Sequence, residues 1–529
     1  MRGVDLIIRG GTILDGGGGE PYRADIVVRA DRIGAIGDIP SNDAPELDAT
    51  GLLVAPGFID IHSHSDYTLL VDPRAVSAIH QGVTLEVIGN CGHGCFPVHD
   101  VTLARNAIYG FDDVVPLNWS HAHEYFDLLQ QSGPAVNVLS LVPNGQLRLD
   151  VVGFHDRPAT PRELREMRRR LEQCLEEGAW GFSTGLEYPT EASAPEDELE
   201  ALCEVVADAG ALYATHTRRR DAGAADAVAE AVRTAERAGV RLQVSHLIPR
   251  SGLQEGERCL AVVDAARERG SDVAFDMHTR LFGFTYLPTV LPAWAMERGP
   301  AATAKLLQDP AARERMKQHE SILSAGGDWT RIVLLDNDIW PDESRRDIAT
   351  IAAERGQDSL DTIYDLLLAA DDQMHRLMVM IRCYTEEQQK RAFAHPLCMP
   401  GSDATTLAPD GRLAGSVFHG AYTWAAWYYR FMVRETQKLT PAEAVRRMTS
   451  LPADRVGLRD RGTLHTGAFA DLAIFDHDTF GEVATTFEPN QLATGMRHVV
   501  VNGTITLQDG ALTGRRRGKV LRRGSTDAA

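Results

Sequence analysis

The sequence lacks the features that mark membrane-bound, secreted and nucleic-acid-binding proteins. It contains no apolar stretch long enough to span a bilayer. Its first residues, MRGVDLIIRGG, do not have the layout of a signal peptide, because their apolar stretch is short and continues directly into strand-like sequence. The formal net charge of −20 is opposite to the basic face that a nucleic-acid-binding protein needs. We therefore expect a cytoplasmic protein without a nucleic-acid or membrane partner.

The cysteine pattern does not indicate a disulfide framework. The seven cysteines are scattered and odd in number. A cysteine with a role is therefore expected to be a metal ligand or a buried apolar residue. The hydrophobic content of 44% is that of an ordinary globular protein, and 529 residues suffice for a large barrel with an appended domain.

Both ends of the chain carry short β patterns separated by turn residues. These patterns fill residues 4–54 and return at 471–476 and 498–510. We predict that residues 1–55 and 463–529 form one small β-sandwich domain. The basic segment at 515–523 is interpreted as a solvated terminus.

Strands and helices alternate through the middle of the chain, which is typical of a parallel sheet with crossover helices. Eight strand candidates lie at 58–64, 84–90, 135–142, 179–185, 212–217, 242–246, 273–278 and 397–403. The clearest helices between them lie at 161–177, 221–238 and 256–269. We therefore predict an α/β fold, with a (β/α)₈ TIM barrel over residues 56–462.

An insertion at about 279–396 separates the last two predicted barrel strands. It holds a strand candidate at 331–336 and helix candidates near 301–325 and 359–370. Because a structureless loop of this length is uncommon in a compact domain, we predict a lid subdomain beside the site.

Metal-binding residue types follow five of the predicted barrel strands. The segment PGFIDIHSHSD ends the first strand with two histidines, and four later strand ends each add one residue. The set is His62, His64, Cys91, His216, His246 and Asp403. The carboxyl ends of barrel strands meet at one mouth, so a barrel would bring these residues together. Their nitrogen, sulfur and oxygen atoms form a donor set suited to Zn²⁺.

Two arrangements of the metal are compatible with this set. Cys91 could bridge two ions, held on one side by the histidines of the first strand and on the other by His216 and His246. The alternative is a single tight site formed by Cys91, His216 and His246. In both arrangements Asp403 is predicted as the general base and acid. It would take the proton of a metal-activated water and deliver it to a leaving amine.

Seven segments carry a family resemblance: PGFIDIHSHSD, GNCG, GFSTGLEYP, THTR, SHLI, GSDA and MTSLPADRVGLRDRGTLHTGAFADLAIFD. Together they resemble the amidohydrolase superfamily and, within it, the N-acyl-D-amino-acid deacylase (D-aminoacylase) branch. GNCG is the most specific segment, because many relatives bridge their metals with a carboxylated lysine and this branch uses cysteine. The resemblance implies zinc, one or two ions per chain, and hydrolysis of an N-acyl amide. It also implies a tight metal site at Cys91, His216 and His246, with His62 and His64 at a weaker one and Asp403 as acid and base.

The chain departs from this branch where relatives hold the substrate carboxylate. The usual lysine, tyrosine-rich segment and HPR motif are replaced by Ile248, residues 277–280 and residues 419–424. We predict that Arg250, His278 and Arg280 contact the substrate instead, since a guanidinium binds a carboxylate through paired hydrogen bonds. Seven aromatic residues are expected to line an apolar pocket or to form the core of the lid: Phe282, Phe284, Tyr286, Trp294, Tyr422, Trp424 and Trp427.

We therefore expect a zinc-dependent hydrolase that cleaves an N-acyl amide bond in a small-molecule substrate, such as an N-acyl amino acid. One alternative is a cyclic-amide hydrolase of the hydantoinase or dihydroorotase type, against which Cys91 argues. Another is a catalytically inactive barrel that acts as a binding or assembly protein, against which the complete set of metal-binding residues argues. The acyl group, the amine, the stereochemistry, the metal count and a homo-oligomeric state are left open.

Overall fold

The structure is a computed structural model, and it describes residues 4–40, 43–105, 108–110, 114–324 and 327–525. The described strands are numbered in chain order. They are β1 (Leu6–Ile13), β2 (Tyr22–Arg29), β3 (Arg32–Gly37), β4 (Glu46–Asp48), β5 (Leu53–Pro56), β6 (Phe58–Asp60), β7 (Val83–Ile88), β8 (Asn137–Pro143), β9 (Gly181–Gly185), β10 (Leu212–His216), β11 (Arg241–Val244), β12 (Val273–His278), β13 (Phe282–Tyr286), β14 (Ile332–Leu334), β15 (Met378–Arg382), β16 (Cys398–Gly401), β17 (Leu472–Phe475), β18 (Met496–Val501), β19 (Thr504–Gln508) and β20 (Ala511–Leu512).

Eight parallel strands form a nearly closed barrel in the order β6, β7, β8, β9, β10, β11, β12, β16. The first and last strands meet through two backbone hydrogen bonds just beyond their ends. Asp403 N donates to His62 O at 2.8 Å, and His64 N donates to Ala404 O at 2.8 Å. The predicted fold class is confirmed, and closure of the barrel is made by the same segments that carry three of the predicted site residues.

Helices cover the outside of the barrel and fill the insertion. In chain order the described α-helices are Thr68–Val71, Val76–Ile79, Val101–Ala104, Ala122–Ser132, Asn144–Val151, Pro161–Glu176, Glu196–Asp208, Ala224–Ala238, Leu253–Glu268, Ala293–Met296, Pro300–Gln308, Pro310–Met316, Ile348–Arg355, Ser359–Ala370, Glu386–Ala394, Trp424–Tyr429, Pro441–Met448 and Ser450–Val456. The three helices that the sequence indicated most clearly are among them.

The helix Pro161–Glu176 shows why these segments are helical. Thr160 caps its first turn, since its side chain accepts from Glu163 N and Glu163 bonds back to the cap. Proline occupies the first helical position, where no backbone donor is needed. Buried residues recur at helical spacing as Met167, Leu171, Cys174 and Leu175, which gives one apolar face against the barrel.

The first barrel strand is shorter than its predicted span of 58–64, because β6 ends at Asp60. The Asp60 carboxylate accepts hydrogen bonds from His62 N at 3.2 Å and from Ser402 N at 2.9 Å. These bonds turn the chain into the mouth, so both histidines lie in the loop after the strand instead of alternating along it. The other seven predicted strands are present with shifts of a few residues at their ends.

The two chain ends, which were predicted to form one small β-sandwich domain, both contribute strands to a single sheet. Its order is β20, β19, β18, β17, β5, β1, β2, β3, with β4 paired to β1. Strand β5 from the N-terminal segment pairs antiparallel with β17 from the C-terminal segment. Apolar residues of both segments, such as Ile8, Val54 and Ile474, share a core. The bounds 1–55 and 463–529 remain a prediction, and residues 1–3 and 526–529 lie outside the described chain.

The insertion between β12 and β16 contains a three-stranded sheet in the order β13, β15, β14. The strand predicted at 331–336 is β14, and the helix predicted at 359–370 is present. The helix predicted near 301–325 is instead two helices, because Asp309 caps a new helix whose first residue is Pro310. Residue 325 lies outside the described residues.

The basic tail at 515–523 corrects an expectation, because it is not simply a solvated terminus. It runs along β8 at the amino end of the barrel. Val138 N donates to Lys519 O at 2.8 Å and Leu521 N donates to Val138 O at 2.7 Å. Trp180 Nε1 donates to Leu521 O at 2.7 Å. The Leu521 side chain is buried with apolar residues of the barrel interior, so apolar packing outweighs the charge of the neighbouring arginines.

Among the helices of the described residues, none is long and apolar enough to cross a membrane.

Candidate metal centre

Three of the predicted site residues have a strained backbone. The φ angles of Cys91, His246 and Asp403 are 52°, 34° and 45°. Residues other than glycine rarely adopt positive φ, and such strain is usually found at functional sites. Each of the three follows a barrel strand, and His216 is the last residue of β10. The strand ends therefore turn sharply at the mouth, which aims these side chains at one another.

Cys91 lies at the centre of the cluster. Its Sγ is 3.2 Å from His62 Nε2 and 3.5 Å from His246 Nε2. Two groups of potential ligands share it, and the ligand atoms within each group lie within 4.8 Å of one another. The first group is His62, His64, Cys91 and Asp403, and the second is Cys91, His216 and His246. The structure thus brings all six predicted residues together.

The cluster is buried, and its charges stabilise the ionised forms of its acids. Burial alone would raise the pKa of the Cys91 thiol, but the charges on His62 and His246 and hydrogen bonds with His216 and His246 together outweigh it and hold the pKa well below its usual value. Burial would also raise the pKa of Asp403, but the Arg280 guanidinium and a hydrogen bond with His64 hold it well below its usual value. A thiolate and a carboxylate are the forms that bind metal ions.

Asp276 connects two of the histidines, and the sequence reasoning missed it. Its Oδ1 lies 3.0 Å from His62 Nδ1 and accepts from His246 N at 2.8 Å. Gln243 Nε2 donates to its other oxygen at 2.9 Å. A carboxylate on the far ring nitrogen orients a metal-binding histidine. The only signal in the sequence is an acidic residue inside the apolar strand VAFDMH.

Glu187 is a second carboxylate that the sequence reasoning missed. Its Oε2 lies 2.8 Å from His216 Nε2, and its Oε1 accepts from Arg250 Nη2 at 2.6 Å. Arg250 also forms an ion pair with Asp221 at 2.7 Å. The predicted substrate contact Arg250 therefore already has two carboxylate partners. Glu187 follows β9 in the segment GLEYP, and this position at a strand end is the signal that could have indicated it.

Arg280 and His278 lie at the carboxyl end of β12. Arg280 Nη2 donates to Asp403 Oδ2 at 2.7 Å, and its Nη1 donates to the carbonyls of Ser402 and Asp403 at 3.0 and 2.9 Å. His278 Nδ1 accepts from Arg280 N at 3.3 Å. Burial, followed by the charge of Arg280, holds the pKa of His278 well below its usual value, so this imidazole is neutral.

Tyrosines surround the histidines. The Tyr109 ring stacks on His64 with centroids 5.2 Å apart, and the Tyr188 ring lies 4.9 Å from that of His216. Of the seven aromatic residues singled out in the sequence, Tyr286 reaches this group, since its ring lies 5.4 Å from Tyr109. Phe284 stacks on His419 at 4.2 Å and lies beside Arg280.

The other predicted aromatics pack elsewhere. Phe282 lies against Phe284, Trp294 lies under Arg315, and Trp427 stacks on Phe431. Tyr422 and Trp424 are fully buried. Within the described residues, this part of the set therefore belongs to apolar packing.

The cluster fits a metal ion. Nδ1 atoms of His64, His216 and His246 are buried, and in the described chain they have no hydrogen-bond partner. A buried nitrogen without a partner destabilises the fold, and a bound ion can provide that partner. Imidazole nitrogen, thiolate sulfur and carboxylate oxygen together are the donor set that zinc takes in proteins.

The fold and the site define an α/β barrel with a candidate metal centre of histidine, cysteine and carboxylate residues at the carboxyl ends of its strands. The model of the amidohydrolase family matches residues 46–507. The chain belongs to the amidohydrolase family.

Several relatives are similar over their whole length. The N-acyl-D-glutamate deacylase of Alcaligenes xylosoxydans xylosoxydans is 34% identical over 99% of this chain and 98% of its own length. A crystal structure of a D-aminoacylase has a TM-score of 0.81 at 29% identity, covering 98% of this chain and 100% of its own. The N-acyl-D-glutamate deacylase of Bordetella bronchiseptica, solved with zinc and a phosphonate inhibitor, has a TM-score of 0.79 at 31% identity and covers 98% and 99% of the two chains.

Proposed function

We propose that this protein is a zinc-dependent hydrolase that cleaves the amide bond of an N-acyl amino acid or a similar N-acyl amide. The observation that carries the proposal is Cys91, whose sulfur is shared by two groups of buried ligands. The relatives support it, since their names describe deacylases of N-acyl-D-amino acids and one was solved with zinc. The substrate class is taken from these relatives.

We assign the ligands by group. Cys91, His216 and His246 would hold one zinc ion, and His62 and His64 would hold a second, weaker ion with the shared sulfur. Bound zinc supplies a Lewis acid that polarises the scissile carbonyl and acidifies the attacking water. The residues around it orient these ligands, since the Asp276 carboxylate holds the ring of His62 at Nδ1.

Asp403 is the proposed base and acid. One carboxylate oxygen faces His64 at 3.2 Å, and the other is held by Arg280 at 2.7 Å. Arg280 therefore keeps the carboxylate ionised and oriented towards the cluster. Asp403 would accept a proton from the attacking water and deliver it to the leaving nitrogen. Its side chain is 19% exposed, which leaves it accessible from the mouth.

His278 is proposed as a substrate contact, because its neutral ring lies at the mouth beside Tyr384, with centroids 5.0 Å apart. Arg250 and Arg280 are proposed to act through the carboxylates they pair with, Glu187 and Asp403. This assignment follows from their ion pairs, which leave little of either guanidinium for a substrate.

The test combines metal content with one variant. Removal of metal by a chelator should abolish amide hydrolysis, and Zn²⁺ should restore it. Asp403→Asn should keep its zinc and lose about 10²- to 10⁴-fold in kcat. The control is Asp410→Asn, because Asp410 is 69% exposed in the same region and pairs with Arg74. Full turnover in metal-free protein, or undiminished kcat in Asp403→Asn, would contradict the proposal.

A substrate comparison separates the proposal from a cyclic-amide hydrolase. Open N-acyl amino acids of both configurations and hydantoin or dihydropyrimidine rings are assayed on the same zinc-loaded preparation. We expect turnover of the open amides. Turnover restricted to rings would show that the chain belongs with the cyclic-amide hydrolases instead.

A further inference from the structure

Seven arginines of the described chain are buried: Arg148, Arg220, Arg250, Arg280, Arg447, Arg455 and Arg461. Six of them form an ion pair with a carboxylate. Arg220 is the exception. Within the described residues, its guanidinium has no carboxylate at ion-pair distance, although the residue is only 6% exposed. A buried charge without a counter-ion is costly, so this exception calls for a partner.

Arg220 lies beside the candidate metal centre. It is four residues after His216, in the loop that follows β10. Its Nη2 donates to the carbonyl of His246 and, at 3.0 Å, to that of Ile248. Its backbone N–H donates to Glu187 Oε1 at 3.1 Å. The side chain is therefore held against the main chain of a proposed zinc ligand.

The guanidinium has donors left over. Both of its hydrogen bonds within the described chain come from Nη2, which leaves the N–H groups of Nη1 and Nε. An arginine guanidinium keeps its positive charge in proteins, so this buried group is cationic. Carbonyl oxygens satisfy part of its hydrogen-bonding capacity but do not neutralise its charge.

We propose that Arg220 determines substrate specificity by binding an anionic group, a carboxylate, of the N-acyl substrate. This inference rests on the proposed hydrolase function and adds the residue that would select a charged substrate. The bond to the carbonyl of His246 places the cation next to the reacting centre. Arg250 and Arg280 are less suited to this role, because each is already paired with a carboxylate.

The experiment compares Arg220→Met with Arg220→Lys on matched substrates. The N-acyl amino acid that the native protein cleaves best is compared with its own carboxamide, which removes the charge and keeps the shape. Arg220→Met should lower kcat/KM for the carboxylate by roughly 30- to 100-fold, mainly through KM, and for the carboxamide by less than about threefold. Arg220→Lys should recover part of the loss, since it keeps a charge without the planar guanidinium.

Arg219→Met is the matched control, because Arg219 is the exposed neighbour in the same loop and should leave both substrates unaffected. Zinc content and the melting temperature of each variant check folding. An equal loss on both substrates, or no loss on either, would overturn the inference. So would a native protein that cleaves only amides without a carboxylate, although the hydrolase function would then stand.

A binding measurement keeps the two proposals separate. The carboxylate substrate, with Asp403→Asn blocking its turnover, should raise the melting temperature of the protein, and its carboxamide should raise it much less. The double variant with Arg220→Met should lose this difference. If the native protein cleaves no amide, the proposed function fails, and the inference about Arg220 is then decided by this shift alone. Equal shifts from both compounds would overturn it.

Discussion

Arg280→Met should slow hydrolysis of every substrate, because Arg280 pairs with the proposed base Asp403 instead of contacting the substrate. Its Nη2 donates to Asp403 Oδ2 at 2.7 Å, and its Nη1 holds the carbonyls of Ser402 and Asp403. The side chains of Arg280 and Asp403 are 5% and 19% exposed, so water screens the pair little. Methionine keeps much of the length and removes the charge together with all of these donors.

The magnitude follows from the pair. A hydrogen bond to a charged group contributes about 1.5–3 kcal/mol, and the lost carbonyl contacts loosen the loop that carries Asp403. We expect about 3 kcal/mol of lost transition-state stabilisation, which is about 10²-fold in kcat/KM. The kcat/KM of Arg280→Lys should lie between those of the native protein and Arg280→Met, since an ammonium cannot reach the carboxylate and the carbonyls together.

The assay is kcat/KM against pH for a carboxylate substrate and for its carboxamide. Arg280 is the largest of the influences that lower the pKa of Asp403, so removing it raises that pKa. Because the base must be ionised, the acid limb should move to higher pH. The control is Arg382→Met, because Arg382 is an exposed arginine at the end of β15 in the inserted sheet.

Two results would refute this reasoning. An unmoved acid limb with a normal rate would show that Arg280 does not maintain the ionisation of Asp403. A loss confined to the carboxylate substrate would show that Arg280 contacts the substrate, as the sequence alone predicted. Zinc content measured on each variant excludes metal loss as the cause.

Three further perturbations test other parts of the structure. Cys91→Ala should lose zinc by elemental analysis, whereas Cys95→Ala should keep it, because Cys95 is buried outside both ligand groups; equal zinc in both would contradict the assignment of Cys91. Leu521→Ala should lower the free energy of denaturant unfolding by about 2–4 kcal/mol, because Leu521 is buried at 1% exposure. The control Arg515→Ala, at an exposed position of the same tail, should lower it by less than about 0.5 kcal/mol. Burial raises the pKa of Glu191 to about 7, so the folded state binds its proton more tightly and native stability falls as pH rises from about 4.5 to 7. Glu191→Gln should lack this fall and should therefore gain about 3 kcal/mol of stability relative to the native protein between pH 4 and pH 8. Parallel stability curves for the two proteins would contradict this prediction.

The polar residues at the strand ends illustrate what can be predicted from sequence. Cys91, His216 and His246 each follow an apolar β run, and a parallel barrel leaves one place for such residues to meet. Local pattern and topology therefore suffice to bring them together. The loop geometry after Asp60 is different, because it depends on hydrogen bonds with Ser402, more than 300 residues away. No local pattern indicates such a contact.

Charge pairing was the weakest part of the prediction. From sequence, Arg250 and Arg280 looked equally available to a substrate, and Arg220 was one of three consecutive arginines. The structure gives the first two carboxylate partners and, within the described residues, leaves the third without one. Partners of this kind come from distant strand ends, so their identity depends on how the barrel closes.

The sequence by itself determined the class of fold, and it predicted the composition of the candidate metal-binding set and the position of each member at a strand end. These follow from short-range periodicity, which records which residues are buried and which face the mouth. Only the tertiary structure decided which carboxylate faces which cation, that the basic tail packs under the barrel, and that Cys91 is shared by two ligand groups. Such pairings depend on distances between segments that are far apart in the chain. Short-range sequence patterns carry no information about those distances.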